Sequence, residues 1–265
     1  MKKTNGILKF ILIVTLVMGI LTVVLLFLQT ERAKNDQSIN IDPETIKLVQ
    51  LEEPKEGDPI AIVDTTLGEF RFVLYPQYSP LAVKNFTDLA ESGYYDGTYV
   101  FNSESGVYSA AGCPKKNGAM PEDADASHER IPRELSQDLW PLKGAVCMMN
   151  TELKRTFKEK LTGGGKYYNG SRFAMLNTIE FDDELKNELI NNSQVKELAD
   201  AFIEKGGIPN FSQQMTIIGQ TYEGIEVIEA LSELETENNG VYKLPVKDIM
   251  INSVKIDSYT SEKQS

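Results

Sequence analysis

The sequence predicts a mainly β fold, built on an antiparallel sheet with a few helices, together with one N-terminal helix that spans a membrane. Short runs of alternating apolar and polar residues recur between glycine-containing turns, as in half-buried antiparallel strands. One helix between two such runs has clear start and stop signals, and an uncharged aliphatic run lies near the N terminus. With 265 residues, of which 41% are hydrophobic, the chain can form one globular domain beside this anchor.

The aliphatic run covers residues 10–30, which as a helix would be about 31 Å long, enough to cross the hydrocarbon core of a bilayer. The lysines before it have no acidic neighbours, whereas the basic residues after it are mixed with acids. We therefore expect residues 1–9 in the cytoplasm and the globular part outside, as in a bacterial signal anchor. A cleaved signal peptide remains the alternative, although the run is longer than a typical signal-peptide core and no A-x-A-like site follows it.

Composition divides the rest of the chain into three parts. Residues 31–57 are polar and charged, and we interpret them as a tether. Within the tether, residues 46–51 are compatible with a short strand or a helical turn. Residues 58–257 hold the predicted strands and helices of one domain, and residues 258–265 form a C-terminal tail.

The composition also excludes several classes of protein. A net charge of -12 argues against nucleic-acid binding, which needs a basic face. Two cysteines, Cys113 and Cys147, exclude a disulfide-dense scaffold and a multi-cysteine zinc site, while one disulfide or two separate buried thiols both remain open. The only histidine, His128, lies in a polar run without a clear acidic or thiol partner, so a solvated loop residue is the simpler interpretation. We expect no metal and no cofactor.

The domain begins with two strands, residues 60–65 and 69–74, joined by a turn in which Gly68 supplies positive φ. A helix follows, with Ser79 as its predicted N-cap and Gly93 as its stop.

Further elements follow in the same way. Residues 94–114 predict two more strands, and the polar run 115–133 predicts a loop. A basic stretch at 151–168 ends in three glycines, and we interpret it as a flexible loop beside a substrate groove. Residues 182–191 and 193–205 predict two amphipathic helices.

Several segments, in chain order, resemble the cyclophilin family of peptidyl-prolyl isomerases. LYPQYSPLAVKNFTDLAESGYYDGT is similar over its whole length to the family pattern LFPxxAPxTVxNFxxLaxxGyYDGt. Residues 144–150 resemble its GxLSMAN strand, 169–176 its NGSQFFIT strand, 214–228 its HTVFGxVxEGmdVv segment and 245–251 its closing strand PIKDVxI. The two added helices resemble those of bacterial-type members. The resemblance covers residues 58–257 and implies a closed antiparallel β-barrel with capping helices.

The resemblance also implies a site. In the family an arginine donates hydrogen bonds to the proline amide as it turns, and an apolar pocket grips the proline ring. The motif YDGTxFHRVxxxFMxQGGDP places Asn102 where the family has this arginine, so we expect weakened catalysis. The substrate-binding positions of the family correspond here to Val107, Tyr108, Ala110, Met149, Asn150, Ala174, Asn210, Phe211 and Met215.

Arg172 occupies a family position that faces the same site, and its guanidinium would reach the twisting amide from the neighbouring strand. Arg172 and Asn102 are therefore the candidate catalytic residues. The commoner behaviour of a strand arginine is to lean outward and pair with an acid, and this alternative is favoured.

The expected function is a peptidyl-prolyl cis-trans isomerase in the cell membrane that assists the folding of extracytoplasmic proteins. The alternative is a non-catalytic module that binds an extended peptide or a partner protein.

Overall fold

The computed structural model describes residues 2–34, 37–119, 131–152, 155–165 and 167–261. His128 and most of the predicted loop at 115–133 lie outside these ranges. The chain forms two compact units. The first comprises Met1–Gln37 and Glu152–Tyr167, and the second comprises Ser38–Thr151 and Tyr168–Ser265.

The elements follow one another along the chain as short strands and helices. The helices are α1 (Lys2–Lys34), α2 (Pro80–Glu91), α3 (Phe157–Thr162), α4 (Asp183–Asn192), α5 (Lys196–Lys205) and α6 (Ile225–Ser232). The strands are β1 (Pro59–Thr65), β2 (Gly68–Leu74), β3 (Asn102–Glu104), β4 (Tyr108–Ala111), β5 (Ile131–Pro132), β6 (Ala145–Glu152), β7 (Tyr167–Leu176), β8 (Thr216–Glu223), β9 (Thr236–Asn238), β10 (Lys243–Pro245) and β11 (Ile251–Ser258).

The main sheet is an open half-barrel, so the prediction of a closed barrel is wrong. Its order is β11-β1-β2-β8-β6-β7-β4-β3, with β5 beside β7. Backbone bonds such as Val100 N to Ile249 O (2.9 Å) join the chain before β3 to the chain before β11. They do not extend into a ladder, because β3 is only three residues long and the separate hairpin β9–β10 lies against it.

Aromatic rings fill the core between the sheet and α2, as the apolar face of the predicted helix requires. Phe86 of α2 packs on Tyr95 with 5.2 Å between ring centroids and on Phe173 of β7 with 5.6 Å. Phe72 of β2 completes the group at 5.7 Å from Phe86. All four side chains are fully buried, and burial of a side chain of this size stabilises the fold by about 1.5–3 kcal/mol.

The predicted start of α2 and its N-cap residue are both confirmed, but the Ser79 side chain does not cap the helix. Ser79 holds the N-cap position, yet its hydroxyl donates to Ile217 O (2.6 Å) instead of capping the helix. The Glu134 carboxylate accepts from the first free amides, those of Leu81 (3.2 Å) and Ala82 (2.8 Å). A carboxylate suits this end because the helix dipole is positive there.

Other local predictions have mixed outcomes. The first two strands are confirmed, and Gly68 has φ +134°. The two amphipathic helices are confirmed as α4 and α5. The last strand begins at Ile251 rather than at 245, because Pro245 ends β10.

The basic stretch predicted as a loop contains α3, which is short but well capped. Thr156 and Glu159 form a reciprocal capping box at its N terminus, and Gly163 ends it in the left-handed conformation with φ +76°. In the same unit, Arg32 Nε donates to Leu161 O (3.0 Å).

Helix α1 continues beyond residue 30 to Lys34. Within its segment Gly6–Ala33, an 18-residue window has a mean hydropathy of 3.1 and no buried residues, so its length and composition suit a membrane span; a signal sequence would satisfy the same criteria.

Part of the predicted tether is bound to the domain. Residues 46–51, for which strand and helical turn were both open, contain the 3-10 helix Val49–Leu51. Gln50 is 7% exposed. Its side chain accepts from Trp140 N (2.5 Å) and donates to Trp140 O (2.9 Å) and Gln220 Oε1 (2.8 Å).

Candidate functional site

The positions nominated from the sequence converge on one side of the half-barrel, where β4, β6 and β7 meet the segment before β8. Ala110 and Ala174 are direct cross-strand partners on β4 and β7. A single apolar cluster, called here the groove cluster, holds six of the nominated side chains: Val107, Tyr108, Met149, Ala174, Phe211 and Met215. The structure therefore brings together residues that are more than a hundred positions apart in the chain.

Two aromatic rings of the groove cluster contact each other. Tyr108 packs on Phe211 edge to face, with 5.9 Å between centroids and an angle of 67°. Burial raises the pKa of the Tyr108 phenol, and the nearby Glu104 carboxylate raises it further, while the Asn102 side chain acts in the opposite direction. Tyr108 is therefore a neutral, half-buried side chain that presents an apolar ring and one hydroxyl group.

Asn102 is held inside the structure. It pairs with Ala110 between β3 and β4, and its side chain is only 2% exposed. Its Oδ1 accepts a hydrogen bond from Lys243 N (2.9 Å). The Lys243 ammonium in turn pairs with Glu104 (2.5 Å), so Lys243 holds β10 against β3 at Asn102 and Glu104. In this arrangement Asn102 supports the hairpin β9–β10.

The guanidinium of Arg172 is bound by neutral oxygens. Nη1 donates to Gly118 O (3.1 Å) and to the Tyr242 hydroxyl (2.9 Å), and Nη2 donates to Thr151 Oγ1 (3.2 Å). Within the described ranges no carboxylate lies within 4.0 Å of it, so the expected pairing with an acid is not found among these residues. The physical reason is that the side chain turns inward over the ring of Phe101, 5.8 Å from its centroid.

Tyr242, which sequence reasoning did not nominate, completes this part of the site. Its ring packs edge to face on Phe101 with centroids 5.0 Å apart. The turn that presents it has a recognisable signal, since Asn239 precedes Gly240 and its Oδ1 accepts from the amides of Val241 and Tyr242. A hairpin was therefore predictable there, but nothing local indicates where it docks.

The apolar groups beside Arg172 connect it to the groove cluster. Phe101, Ala110 and Cys113 form a small buried cluster, and Tyr108 and Met149 pack against it as well as against the groove cluster. The guanidinium thus lies next to one end of the predicted proline pocket.

Two nominated polar residues lie at the rim and are linked through Gln214. Asn150 Nδ2 donates to Gln214 O (2.5 Å), and Asn150 Oδ1 accepts from Asn169 Nδ2 (3.1 Å). Gln214 Nε2 donates to the carbonyl of Asn210 (2.5 Å), whose own side chain is exposed. These contacts fix the backbone around Gln214.

Both cysteines are buried free thiols, which decides between the two states left open by the sequence. Burial raises the pKa of each thiol. Among the residues that the structure describes, no group of three or more His, Cys, Asp or Glu side chains is arranged to hold a metal ion.

The fold and the site define a class: an antiparallel half-barrel flanked by helices, with the apolar groove cluster beside an arginine. A family model described as cyclophilin type peptidyl-prolyl cis-trans isomerase/CLD matches residues 60–256. The chain belongs to this family.

Relatives and solved structures agree with the assignment. Proteins of Staphylococcus epidermidis and Staphylococcus aureus, both named "Putative peptidyl-prolyl cis-trans isomerase", are 26% identical over 205 residues, which is 77% of this chain and 95% of theirs. A Cryptosporidium parvum cyclophilin-type isomerase is similar in fold, with a TM-score of 0.54 and 20% identity over 77% of this chain and 99% of its own. Its structure in the presence of the dipeptide Ala-Pro has a TM-score of 0.53, with 20% identity over 76% of this chain and 99% of that one.

Proposed function

We propose that this chain is a membrane-anchored peptidyl-prolyl cis-trans isomerase of cyclophilin type, with weakened catalysis, that acts on proline-containing segments of proteins outside the cytoplasm. One observation carries the proposal: six side chains at the family's substrate-binding positions form the groove cluster, and the Arg172 guanidinium lies at its end. The uncharged run of α1 at residues 10–30, with lysines before it, supports anchoring with the globular part outside.

Catalysis of proline isomerisation requires a pocket that binds the proline ring and a hydrogen-bond donor to the twisted amide. Rotation about an X-Pro bond meets a barrier of ~18–20 kcal/mol, because the amide gives up its resonance in the twisted state. The groove cluster would hold the proline ring, and a charged donor aimed at the twisted amide would favour it over both planar forms. Arg172 suits this role because its present partners are neutral oxygens that a substrate can replace without separating an ion pair.

The alternative is a non-catalytic module that binds an extended peptide. Two observations favour it. Asn102 is only 2% exposed and its Oδ1 accepts from Lys243 N, so its side chain is inaccessible to a substrate in this state. Arg172 donates to three acceptors at once, and each one it gives up has a cost.

A proline-isomerisation assay on the full chain in detergent micelles separates the two. Under the proposal the chain accelerates isomerisation, and Arg172→Ala lowers kcat/KM on the order of 10²–10³-fold, as expected for loss of one donor to the transition state. Asn102→Ala is expected to have a much smaller effect, since Asn102 acts on the hairpin.

Arg71→Ala is the matched control, because Arg71 is a strand arginine that pairs with Glu69 and Glu223 instead of lining the groove cluster. A wild-type rate equal to that of buffer, together with binding of a proline-containing peptide, would establish the non-catalytic alternative.

A further inference from the structure

The segment 152–167 differs in charge from the rest of the chain. It contains five Lys or Arg residues and two Glu residues, whereas the whole chain has a net charge of -12. Of its two acids, Glu159 is engaged in the capping box, where its carboxylate binds Thr156 N (2.7 Å) and Thr156 Oγ1 (2.8 Å). Lys158 and Lys160 form no ion pair with any residue that the structure describes. The segment is thus a local source of positive charge.

The same segment exposes apolar side chains. Phe157 is 82% exposed and Leu161 is 41% exposed. These residues are four apart in α3, so they lie on one face of the helix. A phenylalanine and a leucine flanked by lysines on a short, well-capped helix are typical of segments that lie in a membrane interface.

Contacts within the first unit place α3 beside the end of α1. Arg32 Nε donates to Leu161 O (3.0 Å), and a Cβ at Gly163 would lie 3.4 Å from Arg32 Cα. Gln37 and Tyr167 exchange two hydrogen bonds, Nε2 to O (2.9 Å) and N to Oε1 (3.1 Å). Arg32 comes two residues after the uncharged run at 10–30, which is where basic side chains reach the headgroups.

We propose that helix α3 lies on an anionic membrane surface. Phe157 and Leu161 enter the boundary between headgroups and acyl chains, and Lys158 and Lys160 contact lipid phosphates. The inference rests on the proposed anchoring by α1. Charge complementarity and continuity with α1 both point to a lipid surface as the occupant.

A labelling experiment on the full chain in vesicles tests this. The native thiols are buried, so Phe157→Cys provides an accessible thiol for an environment-sensitive fluorophore. Val241→Cys is the matched control, since Val241 is 77% exposed and lies in the other unit. Quenching by lipids brominated near the headgroup reports contact with the interface.

In vesicles that contain phosphatidylglycerol we expect about twofold more quenching at position 157 than at position 241, because interfacial side chains lie ~5–10 Å deep. The double substitution Lys158→Glu, Lys160→Glu is expected to remove the excess. If the excess quenching at position 157 were equally large in vesicles of phosphatidylcholine alone, the role of the lysines would be overturned.

Flotation of the same samples separates the inference from the anchoring on which it rests. Failure of the wild-type chain to float with the vesicles would refute the anchor itself. A chain that floats but whose label at 157 is no more quenched than at 241 would overturn the surface contact alone, and would leave the exposed face of α3 to a protein partner.

Discussion

Arg172 donates a hydrogen bond of 2.9 Å from Nη1 to the hydroxyl of Tyr242, which lies 70 residues later in the chain. The ring of Tyr242 also packs on Phe101, the residue over which the guanidinium lies. A single side chain from the hairpin β9–β10 therefore both orients Arg172 and covers the strand end beneath it. Tyr242 is a positioning residue for Arg172 in the proposed site.

Tyr242→Phe keeps the ring and removes the hydroxyl. Loss of one neutral hydrogen bond is expected to lower the free energy of unfolding by about 1 kcal/mol. If Arg172 acts on the amide, kcat falls by roughly fivefold at unchanged KM, because the donor is less well aimed. Steady-state isomerisation kinetics measure kcat and KM separately. Tyr222→Phe is the control, since the Tyr222 ring packs on Tyr259 away from Arg172; the same kcat loss in both variants would contradict the positioning role.

Gly118→Ala tests the packing beneath Tyr242. A Cβ there would lie 2.6 Å from Phe101 Cδ2 and 2.7 Å from Tyr242 Cε2, at φ +74°. We expect a loss of about 2–4 kcal/mol in the free energy of unfolding, from overpacking and backbone strain together. Gly97→Ala is the control, because Gly97 has φ +76° and no atom near its Cβ position, so only the backbone term of about 1 kcal/mol remains. Equal losses of unfolding free energy in the two variants, measured by denaturant titration, would show that the rings of Phe101 and Tyr242 move aside without cost.

Glu134→Gln weakens the cap of α2 without changing its shape. The charge that faces the helix dipole is lost, and we expect the free energy of unfolding to fall by about 1 kcal/mol. Glu91→Gln is the comparison at the other end of the helix, where loss of a negative charge should be neutral or slightly stabilising. Urea titrations at low ionic strength measure both, and an unchanged midpoint for Glu134→Gln would argue that water caps the helix equally well.

Stability is expected to fall in alkaline solution because of the buried tyrosines. Burial raises the pKa of Tyr95 well above its ordinary value near 10, while in the unfolded chain the phenol ionises near pH 10. The unfolded state therefore releases the proton first, so stability is retained below pH 10 and lost above it, by up to about 1.4 kcal/mol per pH unit for each such group.

Tyr95→Phe isolates this contribution. At pH 7 it should cost about 1 kcal/mol, since the hydroxyl donates to Ser171 O (3.1 Å). Above pH 10 the variant should lose stability less steeply with pH than the wild type does. Parallel pH profiles for the two proteins would mean that Tyr95 does not contribute to alkaline unfolding.

Local signals in the sequence were enough for most elements. Alternation and turn glycines predicted the first two strands, and the amphipathic pattern predicted α4 and α5, because these features depend on neighbours in the chain. The cap of α2 was not predictable in this way, since Glu134 lies 53 residues from Leu81. For α3, the Thr156 to Glu159 spacing and Gly163 gave a capping signal that the triple glycine obscured.

The site was predictable in its membership but not in its orientation. The family motifs indicated which residues would gather, and the groove cluster contains six of them. They could not indicate that Arg172 turns toward neutral oxygens, because its three partners, Gly118, Tyr242 and Thr151, all lie outside the motifs. Openness of the sheet likewise depends on the short β3 and on a hairpin whose docking no local pattern encodes.

The hydrogen bond from Lys243 N to Asn102 Oδ1 restricts which residues position 102 can hold. An arginine at position 102 would need room that the backbone of β10 now occupies, and the space beside Phe101 is already filled by Tyr242. Placing a large cation at position 102 would therefore require coordinated replacements at positions far apart in the gene, because the amide of Lys243 and the ring of Tyr242 would both have to move.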